Sequence, residues 1–353
     1  MSACNGHSPT DLAGSVRTGL RALASFVCAC LAVVLLLSAR GENSPAAAQS
    51  DLSTSLAASP SPSSAELLAR RQWTSRGAPL VPIALDIDPA GGIWGIEGAG
   101  HRLFREDERA PGGVRMAGGG EGPGRLSFVT RLFARTGLKV FTLDPFEAIL
   151  DRYDFSGVQE ERIDLEAQLQ EAGEDLGEAS DFCLDPAGDL HLLDASRERI
   201  LQFDGAAQFR ESLGESEGLD LRGPIAIDVD GRGRLFVLTT RPAGVGRMEP
   251  GRTFTWSALP SLTEQPLKPS SLAVDSWGNL FVGMQEAGGV LVLPVGAEPW
   301  LLVPPEGRMH CADLAWERGG RLYVADAPGA QVWVFSLHYG PRDGASGPSL
   351  PGG

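Results

Sequence analysis

Six copies of one pattern tile the chain from about residue 83 to residue 337. Each copy runs through a few apolar residues, an Asp or Glu, a Gly-containing turn, an apolar strand, a polar corner and a second strand. The clearest are LDIDPAGGIWGIEGAGHRLFRE, CLDPAGDLHLLDASRERILQFD and IDVDGRGRLFVLTTRPAGVGRME, while FARTGLKVFTLDPFEAILDRYD, the second copy, is degenerate. The second strands begin at Ile93, Val140, Leu190, Leu235, Leu280 and Leu322, giving steps of 47, 50, 45, 45 and 42 residues. That is the period of a four-stranded propeller blade. Short apolar runs bounded by Gly, Pro and Asp are strand signals, and Asp and Gly supply the turns between them. A single four-stranded sheet cannot bury both faces, so neighbouring blades must stack. The expected fold is all-β, a six-bladed β-propeller.

The pattern also says how the ring closes. Outer strands are legible after five blades, as GVRMAG, VQEERIDL, FRESLG, TFTWSAL and PWLLVP. The sixth blade lacks one, because Gly and Pro follow Tyr339. The strand-like RQWTSR at 71–76 is left over and is expected to complete blade six beside QVWVFSL, removing an exposed sheet edge. The expected organisation is a signal peptide or membrane anchor within 1–48, a Ser/Ala/Pro linker over 49–70, the propeller over 71–339 and a Gly/Pro-rich tail over 340–353.

Residues 22–39 form an uncharged apolar run of 18 residues, after Arg17 and Arg21 and before Arg40. That length sits between a long signal-peptide core and a membrane span. Ala46, Ala47 and Ala48 offer a small-residue cleavage site. Basic residues ahead of the run keep the amino terminus in the cytoplasm and send the propeller across. An extracytoplasmic propeller follows, touching a membrane only if the segment is retained.

Formal charge is −15, and removing residues 1–48 leaves 27 basic against 43 acidic groups, or −16. Such a surface repels phosphate backbones and excludes nucleic acid as the expected partner. Of five cysteines only Cys183 and Cys311 fall in the propeller, in facing blades too far apart to bridge. They read as small buried apolar residues. Asp164–Asp181 is an insertion whose Leu165 and Leu169 have helical spacing behind a capping Asp164.

Two motifs match chemistry by letters alone. Gly214-Glu215-Ser216-Glu217-Gly218 has the nucleophile-elbow spacing but lies in a connector between blades, where no strand-to-helix turn is expected. Asp228-Val229-Asp230-Gly231-Arg232-Gly233 resembles the start of a calcium loop and lacks its closing Glu. The corners after the second strands carry Glu97, Asp144, Asp194, Thr239, Met284 and Asp326. Propeller geometry puts them on one face, where the four carboxylates either cap their own turns or crowd a cation site, calcium being the candidate. The connectors entering each inner strand add Arg125, Arg131, Asp181, Arg308 and His310 near the same channel mouth. His310 is the one candidate base among them.

The D-x-x-G turn, the strand ending in Asp and the following R-I-x-x-F, clearest over Asp185–Phe203, resemble NHL repeats. GGGEGPGRL (Gly118–Leu126) is similar to the G-E-G-P-G-E-F connector of bacterial extracytoplasmic six-bladed propellers. The resemblance covers about residues 71–338 and implies fold rather than activity, because such propellers host lyases, lactonases, RNA binders and scaffolds. Gluconolactonase-type relatives would need channel Glu, Asn and Asp oxygens around a metal. The only Asn beyond Asn43 is Asn279, in a D-x-x-G turn. Streptogramin-lyase-like relatives rely on channel histidines, and the propeller offers His101, His191, His310 and His338. The expectation is therefore a monomeric, non-catalytic binding or scaffold propeller without a cofactor. A protein or small ligand would dock on the face of the corners and GGGEGPGRL. The alternative is a metal-dependent hydrolase or lyase working in the channel.

Overall fold

The computed structural model describes residues 60–340 except 76–77, 107–113, 118–127, 137–138, 216–217, 263, 265–266 and 286. The expected leader in 1–48, the GGGEGPGRL connector with Arg125, Ser216 and the tail after 340 lie outside the described residues. Six four-stranded antiparallel sheets form a six-bladed β-propeller. The inner strands are Pro82–Ile87, Arg131–Phe133, Ala179–Leu184, Pro224–Val229, Pro269–Val274 and Cys311–Glu317 for blades one to six. They touch in ring order around a central channel, blade six meeting blade one. Each inner strand runs from the connector face, where the corners lie, to the opposite face, where the D-x-x-G turns reverse the chain.

The stacking expected from the repeat is visible in the core. Trp94 and Leu103 of blade one pack with Val140 and Tyr153 of blade two. Phe236 and Leu238 of blade four pack with Val274 and Val282 of blade five. Burial is thus shared between blades, none of which has a core of its own. The insertion forms the helix Leu165–Glu171, whose N-cap Asp164 accepts a hydrogen bond from the Ala167 N–H and whose Leu165 and Leu169 are buried.

Closure occurs as expected in kind but ten residues earlier. Ser61–Arg71 pairs antiparallel with Gln331–Gly340, from Ser61 opposite Gly340 to Arg71 opposite Val332. The closing strand is therefore SPSSAELLARR, drawn largely from the segment expected to be linker, and only Arg71 of RQWTSR belongs to it. An outermost strand needs only one half-buried face. Ala65, Leu67 and Ala69 supply it, while Glu66, Leu68 and Arg70 face solvent, and Pro62 is tolerated at an edge. Trp73 instead leaves the sheet and is buried between blades six and one, packed on Phe104 and donating its Nε1–H to Glu106.

Carboxylates staple the inner strands. Asp313, Asp86, Asp181 and Asp228 each accept a backbone N–H from the next blade, at Leu85, Ala134, Ile227 and Val274, over 2.7–2.9 Å. Arg131 and Asp181 join blades two and three, and the Ser270 hydroxyl donates to the Cys311 carbonyl between blades five and six.

Candidate functional site

The staples place charge inside the channel in two layers. Strand register aligns Arg131 with Ala84, Asp181, Ala226, Ser271 and Asp313, nearer the connector face. Arg131 Nε lies 3.3 Å from Asp181 Oδ1. Burial pushes the Asp181 carboxyl up to about 6 and that of Asp313 up to about 7, with Arg131 pulling both back only in part. The second layer lies toward the turn face. There Arg135 donates to Asp86 Oδ2 at 3.4 Å and to both oxygens of Asp228, at 2.6 and 3.3 Å. Burial also raises the Asp86 carboxyl, again against the pull of Arg135.

Of the channel-mouth residues singled out in the sequence, the structure brings Arg131 and Asp181 together. Arg308 and His310 are exposed, on the connector entering blade six, and among the described residues neither bonds to that pair. Three of the four corner carboxylates cap their own turns, and the fourth, Asp194, caps the connector that leads into its blade. Glu97 accepts from the Ala99 and Gly100 N–H groups, Asp144 from Phe146 and Glu147, and Asp326 from Gly329. Asp194 accepts from Gly177 and Glu178 of the preceding connector and from Arg199 Nε. Among the described residues no group of three or more His, Cys, Asp or Glu side chains is placed to hold a metal ion.

Asp228 and Asp230 do not form a calcium loop. Asp228 is a channel staple, and Asp230 accepts from the Arg232 and Arg234 N–H groups and pairs with the Arg234 side chain. Asn279 bonds Asp275 and the Pro60 carbonyl, and receives the Val295 N–H. His191 is buried 3.5 Å from Asp185, with burial lowering its pKa, while His101 leans on the Val129 carbonyl and His338 is exposed. Cys183 and Cys311 are free, buried thiols pushed up by burial.

A cavity of about 710 Å³ opens on the turn face, lined by all six blades. Its rim is made by the turns at 88–91, 185–188, 230–231, 275–276 and 317–319. Its wall is a collar of Ile87, Phe133, Leu184, Val229, Val274 and Trp316, and Arg135 also lines it. This last residue was not singled out in the sequence, although a signal was there. In register, five blades lead into the turn with a carboxylate (Asp88, Asp185, Asp230, Asp275, Glu317), and degenerate blade two supplies Arg135. No histidine, cysteine, lysine or tyrosine is among the described residues lining the cavity.

No protein-family model and no curated protein matches the chain. Solved structures match in fold. A catalytically inactive histidine-to-alanine variant of virginiamycin B lyase from Staphylococcus aureus, with quinupristin, superposes with a TM-score of 0.55 at 12% identity, over 78% of this chain and 89% of that one. A structural-genomics protein of unknown function from Bacteroides thetaiotaomicron gives 0.52 at 14%, over 80% and 74%. The extracellular domain of a one-component system from the same organism gives 0.50 at 13%, over 75% of this chain and 36% of that one. At these identities the likeness is one of fold alone.

Proposed function

We propose that this chain is an extracytoplasmic, NHL-like binding propeller that holds a small ligand in the turn-face cavity. The observation that carries the reading is the cavity itself: every blade contributes to it, its wall is apolar, and Arg135 lines it with N–H donors that Asp86 and Asp228 leave unused. The chemistry of the lining favours binding over turnover. The virginiamycin B lyase variant is inactive through loss of one histidine, and none of this chain's four propeller histidines lines the cavity. Four of the five rim carboxylates are committed to backbone, as where Asp88 accepts from the Ala90 and Gly92 N–H groups, and Glu317 is held by the Tyr323 hydroxyl and Arg321. The extracellular propeller domain among the fold neighbours and the basic-then-apolar segment at 17–39 support export. No helix among the described residues is long and apolar enough to cross a membrane.

A second reading, a protein contact on the connector face, is favoured by one observation. Phe128 and Phe146 lie there with ring centroids 5.1 Å apart and are 49% and 80% exposed. Arg131, Asp181, Arg308 and His310 would border that contact.

Ligand-observed NMR with a library of small neutral and charged compounds tests the first reading. Binders to the wild type should be lost when Ala187 and Ser276, two rim positions, are both replaced by Trp, and kept in Phe146→Ser. Binders indifferent to the rim substitutions would reject the cavity as the site. Conversion of quinupristin by the wild type would reject the non-catalytic reading.

A further inference from the structure

We infer that the turn-face cavity selects a neutral ligand, one with an apolar body that presents an uncharged oxygen acceptor, an amide or ester carbonyl or a hydroxyl, to Arg135 at its floor. The inference rests on the proposed use of the cavity and adds the chemistry of what enters it.

Three observations converge on it. The guanidinium of Arg135 carries five N–H donors, of which Asp86 and Asp228 take three. The side chain is 28% exposed and lines the cavity, so its remaining N–H groups can meet a ligand. Its charge, however, is already matched. Asp228, 2% exposed on its side chain, binds it through both oxygens, and Asp86 sits on its other edge. A ligand anion would therefore find donors but no net positive charge, and would stand within a few ångströms of two fixed carboxyl groups.

The rim points the same way. Of its five carboxylates, Asp88, Asp230 and Glu317 are paired with Arg105, Arg234 and Arg321. Asp185 lies 3.5 Å from His191, whose pKa is lowered by burial, and Asp275 faces Asn279 and the Tyr339 hydroxyl. Arg318 is the remaining cation in the lining. An anion must pass these groups, and an ammonium, itself a donor, finds only N–H donors on Arg135 at the end of the path. Between rim and floor lies the apolar collar, which includes Trp316. An apolar ligand body gains there by leaving water, and a neutral oxygen completes the hydrogen bonding of Arg135 without a charge being buried.

Cyclohexanecarboxamide, cyclohexanecarboxylate and cyclohexylammonium, matched in size, are the probes. Dissociation constants for the wild-type chain are read by ligand-observed NMR at pH 8. The amide should bind, and the carboxylate and the ammonium should each bind about tenfold or more weakly. In Asp228→Asn, which removes the main counter-charge, the carboxylate should gain about tenfold relative to the amide. A wild-type preference for either ion, equal affinities, or no binding by the amide overturns the inference, whatever the folding of the variant. The two readings fail separately. Ion binding abolished by Trp at positions 187 and 276 keeps the cavity as the site and removes the neutral selectivity. Binding untouched by those substitutions removes both.

Discussion

Asp313 lies at the junction where blade six meets blade one, and its burial makes an unusual prediction: neutralising it should stabilise the protein, and increasingly so as pH rises above about 4. Its Oδ2 accepts the Leu85 N–H at 2.9 Å, and burial lifts its carboxyl from 3.8 to about 7. The folded-state value lies above the unfolded one. Between about pH 4 and pH 7 the native protein therefore keeps a proton that the unfolded chain has released. Stability contributed by this group is complete below about pH 4 and is lost as pH rises through 7. At pH 8 the accumulated cost of ionising it approaches about 4 kcal/mol, the free-energy equivalent of that displacement. Asp181, raised to about 6, adds a cost of the same sign over a narrower window.

Asp313→Asn retains an oxygen for the Leu85 N–H and abolishes the ionisation. Relative to wild type it should be more stable by about 1–2 kcal/mol at pH 5 and by about 3–4 kcal/mol at pH 8, so that the gap widens by about 2–3 kcal/mol. Urea unfolding of both proteins at the two pH values measures this. Buried His191, whose pKa is lowered, gives the opposite slope below about pH 6.5, because the unfolded chain takes up the proton first. It is common to both proteins and cancels in the difference. If the variant is the less stable one at pH 8, or if the gap does not widen between pH 5 and pH 8, then Asp313 is ionised at little cost and the account of the channel layer nearer the connector face is wrong.

Trp73→Ala should cost about 3–5 kcal/mol in the same unfolding assay, since the indole is 1% exposed against Phe104 and loses its bond to Glu106. A cost below about 1 kcal/mol would place Trp73 outside the packed junction. Deleting residues 1–60 should leave the propeller soluble, whereas deleting 1–72 should expose the Gln331–Gly340 edge and cause aggregation, measured by light scattering. Equal behaviour of the two deletions would contradict the closing strand. Replacing Glu97, Asp144, Asp194 and Asp326 by their amides should cost about 1 kcal/mol each, additively. Calcium should not move the melting temperature of the wild type in calorimetry, and a calcium-dependent rise absent from the quadruple variant would reassign these corners to a cation site.

The fold was legible because its signal repeats. Six turns and six strand pairs at one period leave little room for another architecture, and the capped helix at Leu165–Glu171 followed from one Asp and two leucines. The closing strand was harder. Ser61–Arg71 carries Pro62 and small residues because an outermost strand buries only one face, so its composition resembles that of a linker. Trp73 drew attention to the neighbouring segment, yet its burial comes from the blade junction and not from strand pairing. Corner capping was readable in the repeat for Glu97, Asp144 and Asp326, each of which stands beside the turn that it bonds, and not for Asp194, which bonds Gly177 and Glu178. The channel staples were not. They join residues some 46–228 positions apart, and only three-dimensional register shows that Asp86 and Asp228 flank the same guanidinium.

Arg135 shows where a repeat carries functional information. In the five regular blades the turn carboxylate is spent locally: Asp275 accepts the Trp277 and Asn279 N–H groups, as Asp185 does those of Ala187 and Asp189. Repetition of the aspartate is explained by turn geometry alone and says nothing about ligands, while Glu317 holds Tyr323 and Arg321 of its own blade. Blade two breaks the rule, with an inner strand of three residues and a guanidinium at the turn-leading position. An arginine cannot accept a turn N–H, so its place there is not explained by the local need that accounts for the four aspartates. It reaches across the channel to blade four and presents its unused donors to the cavity. The degenerate copy, the weakest evidence for the fold, is for that reason the strongest pointer to the site.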